Sequence, residues 1–183
     1  MKRPPNGAIF EIAKIEKVKF MEQILQRLND EVGGYYKMLD EHRTKSVREI
    51  GFWTSIRIIM PIIEAVAHVT GEKTQEFIGK HLDIETPYLM WDLFRHPLIH
   101  GDLLHHAKYK NKEVSWGVML GNISSKHLIA KGNIMIDPRY LYKKLKEYLE
   151  KEIANNDQVI INVEVGVLYQ TPKQEIITEF LKL

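Results

Sequence analysis

No cysteine occurs in the 183 residues of this chain. That excludes a disulfide framework, a thiolate metal site and a cysteine nucleophile, and it fits a reducing compartment. An excess of one charge is also lacking. The 26 Lys and Arg face 24 Asp and Glu, and a net charge of +2 is well short of a dedicated nucleic-acid binder, although local basic patches remain open. The longest apolar stretch, Ile58 to Ile63, falls far below the roughly 20 residues needed to cross a bilayer. The opening MKRPPNGAIFEIAKIEK is basic but soon broken by charge, so it does not read as a signal peptide. A cytoplasmic protein without a membrane partner is expected. There is no internal repeat, low-complexity tract or obvious linker. A glycine-rich phosphate loop, GxSxG, a dinucleotide fingerprint and HExxH are all missing too, which removes the support each would give to its enzyme class.

What is present is ordinary globular material: 44% hydrophobic and 27% charged residues. A chain of this length buries roughly 70% of its unfolded surface and needs no staples. One domain over residues 1–183 is expected, with a helical bundle in 1–106 and strands plus further helices in 107–183. From Ala8 to Val32 the apolar positions Ile9, Ile12, Ala13, Met21, Ile24, Leu25, Leu28 and Val32 read as one helical stripe, interrupted at Gly33-Gly34. Ser46-Val47-Arg48-Glu49 has the form of a capping box. It opens a heavily apolar helix to Val69, kinked or broken at Pro61 and ended by Gly71. Short helices follow at Thr74–His81 and after Thr86-Pro87.

Beyond Lys112 the period changes. Val114, Trp116, Val118 and Leu120 alternate, His127–Ile129 and Ile134–Ile136 suggest short strands, and Val159 to Tyr169 alternate strictly. Asp137-Pro138 caps a helix reaching about Ile153, and Thr171-Pro172 opens a last one. The fold class expected is mainly α, within α+β: a helical bundle with a small antiparallel β appendage in the C-terminal half.

Four of the eight histidines crowd into WDLFRHPLIHGDLLHH, between His96 and His106. Imidazole titrates near neutrality and serves as acid or base, while arginine stays charged and grips phosphate. His96 and His100, four apart, share a helical face; Arg95 and His100, five apart, sit about 140° apart on a straight helix. A turn distorted by Pro97, an arginine reaching round, or a second subunit would each join them. Asp92, His96 and His100, with Asp102, His105 and His106 nearby, also have a spacing compatible with a metal, although Pro97 interrupts that ladder. Equally, the histidines can cap carbonyls, and Arg95 can bridge to Asp92 or Glu64 without chemistry. Glu64 and Arg57, both on the apolar helix, are candidate members of the same cleft. Lys143, Lys144 and Lys146 read as a solvated helix face, and Trp53, Trp91 and Trp116 as core.

The segment Arg95-His96-Pro97-Leu98-Ile99-His100-Gly101 resembles the motif of the HEPN superfamily, an arginine, usually a polar residue next to it, and a histidine five to seven positions on, often with a glycine following. That resemblance covers about Arg48 to Asp102; the strands are not part of the family's common core. It implies a helical bundle that forms a homodimer, with paired motifs lining a shared cleft. Many such domains are metal-independent ribonucleases, often of toxin–antitoxin or antiviral systems; others bind RNA or nucleotides without cleaving them. On this reading Arg95, His100 and His96 are the catalytic candidates, and Arg57, Glu64 and Asp102 the substrate-binding ones. No metal or cofactor is called for, and an antitoxin protein is a candidate partner.

Overall fold

Isoleucines three apart suit one face of a helix, yet β-branched residues also favour strands, and tertiary pairing decides between the two. In the computed structural model, which describes residues 9–41, 45–95, 106–109, 111–118, 127–130 and 133–167, the first element is a strand. β1 (Ile9–Glu16) pairs antiparallel with the last strand, β6 (Ile160–Val167), setting Ile15 opposite Ile161 and Ala13 opposite Val163. Ile15, Ile161 and Val163 pack against the core, whereas Ile12 on the other face is 56% exposed. The helical reading of residues 8–32 is therefore corrected over 9–16: an eight-residue ladder to a distant strand outweighs the local spacing. The expected confinement of strands to the C-terminal half is corrected by the same pairing.

Helix α1 (Lys17–Leu28) follows without a loop. The Lys17 amide donates to the Val159 carbonyl at 2.8 Å, and its ammonium lies 2.6 Å from Glu152. That hydrogen-bonded carboxylate raises the Lys17 pKa despite partial burial. Gly33-Gly34 does not interrupt the helix. Asn29–Gly33 form a π-helical turn that runs directly into α2 (Gly34–Glu41). The Tyr142 hydroxyl donates to Asn29 Oδ1 at 3.0 Å, and a Cβ added at Gly33 would lie 2.7 Å from that hydroxyl oxygen. The glycine is there for a close approach rather than for a break.

Helix α3 (Lys45–Val69) starts one residue before Ser46, the residue expected to cap it. It passes through Pro61 without interruption in its assignment; Pro61 is exposed, and Ile56, Ile59, Ile63, Val66 and Ala67 on the opposite side are fully buried. Gly71 ends it at φ +73°, with Glu72 N–H donating to the Ala67 carbonyl at 2.9 Å and Gly71 N–H to that of His68 at 3.1 Å, the paired bonds of a Schellman terminus. Helices α4 (Thr74–His81) and α5 (Pro87–Phe94) fall where the sequence places them, although the Thr86 side chain makes no capping hydrogen bond.

β2 (His106–Tyr109), β3 (Lys112–Val118), β4 (His127–Ala130) and β5 (Asn133–Ile136) form a sheet of order β2-β3-β5-β4. β3 and β5 run parallel, so this sheet is mixed, not wholly antiparallel as expected. It meets the helices through buried Ile134 and Ile136 and half-buried Trp116 and Val118. Asp137 then caps α6 (Pro138–Ala154), accepting from the Arg139 amide at 2.9 Å. One apolar core joins Met21, Leu28, Leu39, Ile59, Phe77, Phe94, Leu141 and Leu145, so the architecture is mainly helical with the sheets alongside. No helix among the described residues is long and apolar enough to cross a membrane. The anticipated turn at Gly121-Asn122 and the helix after Thr171-Pro172 lie outside the described residues.

Candidate functional site

Helix α5 is only two turns long, and its end is fixed by packing. Phe94 is fully buried and stacks on Trp53 of α3 at 6.1 Å between ring centroids, so the next residue is delivered to a defined place on the surface of α3. That residue is Arg95, the C-cap, whose amide donates to the Trp91 carbonyl at 2.9 Å. Its side chain folds back over the residue four positions earlier, as helical spacing dictates, with the guanidinium carbon 5.5 Å from the centre of the Trp91 ring. Nη2 lies 3.1 Å from Oε2 and 3.3 Å from Oε1 of Glu64, on the outward side of α3. The arginine side chain is 28% exposed and the glutamate 45%. An ion pair this wet contributes about 1 kcal/mol or less, so its main effect is to hold a charge in place.

Arg95 and Glu64 thus come together. Nη2 serves the carboxylate, and Nε is buried with no acceptor among the described residues. Arg57 stands two turns before Glu64 on the same side of α3 and makes no ion pair with it; it lines a separate groove facing α1. His96, His100 and Asp102 lie outside the described residues. Of the metal ladder, Asp92 is exposed on α5, and no cluster of three or more metal-binding side chains occurs among the described residues. Trp53, Trp91 and Trp116 each pack half-buried against the core. Lys143 and Lys144 pair with Glu147, and Lys146 with Glu150, on the outside of α6.

Two polar clusters were not legible beforehand. His81 Nε2 sits 2.8 Å from Glu72 Oε1, with its ring 4.9 Å from Phe77 and 4.6 Å from Tyr148. Burial pushes the Glu72 carboxyl up, but hydrogen bonds from His81 and Lys80 outweigh it and hold the pKa below the usual range. Arg139 lies over the Tyr36 ring at 5.3 Å with Nη2 2.6 Å from Asp40. The Trp91–Arg95 contact had a readable sign in its four-residue spacing; contacts spanning Asp40 to Arg139 had none.

The chain matches no family model, and neither a curated protein nor a solved structure matches it.

Proposed function

We propose that this chain is a HEPN-like protein that acts on RNA, cleaving it without a metal. The observation carrying the reading is the setting of Arg95: a guanidinium held between Trp91 and Glu64, partly exposed, at the end of the helix that leads straight into His96 and His100. In the reaction, one imidazole removes the proton of the ribose 2′-hydroxyl as its oxygen bonds to phosphorus. The bond from phosphorus to the 5′-oxygen breaks, and an acid returns a proton to that oxygen, leaving a 2′,3′-cyclic phosphate. His100 takes the principal proton-transfer role with His96 assisting, and Arg95 offsets charge developing on the phosphoryl oxygens. Glu64 positions Arg95, and Asp102 contributes to substrate binding. A homodimer, a toxin or defence role and an antitoxin partner belong to this same proposal through the resemblance.

One observation favours a second reading, a module that binds RNA or nucleotide without cleaving it: Glu64 already neutralises part of the guanidinium, so a two-point grip through Nη2 requires the carboxylate to yield. Incubating the protein with mixed RNA in EDTA separates the two. The enzyme yields cyclic-phosphate ends, which His100→Ala reduces by about 100-fold or more. Retained RNA binding with no cleavage by either protein establishes the binding module, and neither binding nor cleavage refutes both.

A further inference from the structure

A groove of about 160 Å³ runs between α1 and α3. Its walls are Ile24 from one helix and Ile58, Ile62 and Ala65 from the other, and Arg27 and Arg57 stand among them. We infer that it is a binding site for a small planar ligand that carries an anionic group.

Size and charge both support this. An apolar cavity of about 150 Å³ accepts benzene, so this space suits one ring. Of the four arginines whose side chains are described, Arg27, Arg95 and Arg139 each have a carboxylate partner, and Arg57 has none among the described residues. It is exposed, and it borders the aliphatic surface of Ile58, Ile62 and Ala65, so an anion on its guanidinium would gain a charge-assisted hydrogen bond beside an apolar wall. Arg27 uses Nε on Glu31 at 2.8 Å, which leaves its terminal nitrogens for a ligand. With Glu31 counted, the groove keeps one positive charge and suits a single anionic group. Pro61 has no N–H, so the Arg57 carbonyl loses its helical donor and offers an acceptor beside the same space. A ring between the isoleucines with its anion on Arg57 satisfies these features together. Nucleoside monophosphates and aromatic carboxylates share that chemistry. Arg95 is not among the residues that line the site, and the inference does not rest on RNA cleavage.

Full-length protein labelled at isoleucine δ1 methyls is titrated by NMR with uridine monophosphate, benzoate, inorganic phosphate and uridine. Uridine monophosphate or benzoate shifts the methyls of Ile24, Ile58 and Ile62 saturably and leaves Ile134 still, and the tighter of the two identifies the source. Arg57→Glu weakens this by about tenfold or more. Ala65→Met fills the groove and removes the response, whereas Arg95→Ala retains it. Arg57 is exposed and has no ion-pair partner among the described residues, so its variant folds even where Ala65→Met does not. The inference is overturned by no saturable shift with either ring anion, by phosphate or uridine alone binding as tightly, or by unchanged affinity in Arg57→Glu.

Discussion

Arg95 and Arg139 are built alike. One guanidinium lies 5.5 Å over Trp91 with Nη2 3.1 Å from Glu64; the other lies 5.3 Å over Tyr36 with Nη2 2.6 Å from Asp40. Each joins two helices, α5 to α3 and α6 to α2. A long cation laid on a ring and tied to a half-wet carboxylate is therefore, in this molecule, a way of fastening helices, and its geometry alone does not mark chemistry. The difference lies in the neighbouring sequence. Arg139 is followed by Tyr140, Leu141 and Tyr142, which pack; Arg95 is followed by His96 and, four residues further, His100. What sets the Arg95 cluster apart is the pair of imidazoles that follows it in sequence, and Arg139 serves as its control.

The largest expected effect breaks or sharpens that contrast directly. Arg95→Ala lowers the rate of RNA cleavage by about 10²–10³-fold, the cost of removing a preorganised charge from a transition state. Arg139→Ala leaves the rate per folded molecule within about twofold, since nothing near it transfers protons. Single-turnover cleavage in EDTA, corrected by circular dichroism for folded fraction, measures both. Equal losses would show that the two clusters do the same structural work.

Next in size is a change confined to the fastening side. A methyl at Gly33 would sit 2.7 Å from the Tyr142 hydroxyl, whose ring meets Tyr36 edge-on at 5.5 Å. Gly33→Ala is expected to cost about 1–3 kcal/mol in urea denaturation, as overpacking does. Tyr142→Phe in the same chain removes the clashing oxygen and recovers part of the loss. Cleavage by the folded fraction stays unchanged, because the strain falls on Arg139's surroundings.

Local chemistry explains why parts of this were legible in the sequence and parts were not. Asp137-Pro138 and Gly71 mark helix ends by what their own backbones require, and the structure places α6 and the end of α3 there. β1 reads as helix because Ile9, Ile12 and Ala13 satisfy a helical spacing, and only the partner strand some 150 residues on, with Val163 facing Ala13, makes them a ladder. Gly33-Gly34 reads as a break until Tyr142 is brought against it. The candidate site divides the same way: Arg95 and Glu64 were both singled out, and Glu64 was one of the partners foreseen for Arg95. Arg27 was not singled out, because only the packing of α1 on α3 brings it to Arg57.

A smaller effect concerns the residue that delivers Arg139. Asp137 is 4% exposed, and burial raises its pKa above the ordinary 3.8 despite the amides of Arg139 and Tyr140. A carboxyl whose pKa is higher in the folded chain binds more protons there. Its contribution to stability is full below the unfolded pKa and is lost as pH rises through the folded one. Asp137→Asn keeps the cap and cannot ionise, so it gains on the wild type as pH rises from about 4 to 7. Asp137→Ala cannot ionise either, so it follows the same trend and lies about 1 kcal/mol below Asp137→Asn throughout, because it lacks the cap. A flat difference between wild type and Asp137→Asn across that range, in urea melts, would contradict the burial argument.

The smallest stability effects belong to the carboxylates of the two clusters, and they separate fastening from function most finely. Asp40 is 58% exposed and Glu64 45%, so solvent screens both pairs, and Asp40→Asn and Glu64→Gln should each cost no more than about 1 kcal/mol. Asp40→Asn should leave every step on RNA as it was. Glu64→Gln frees a guanidinium from its counter-charge, so ground-state binding of RNA tightens and KM falls. The same change loosens the orientation of Arg95, so kcat falls too, whereas a purely structural glutamate would move neither once the folded fraction is matched. Opposed changes in affinity and turnover at Glu64, with none at Asp40, would mark Arg95 as a group held for a phosphate rather than a rivet between helices.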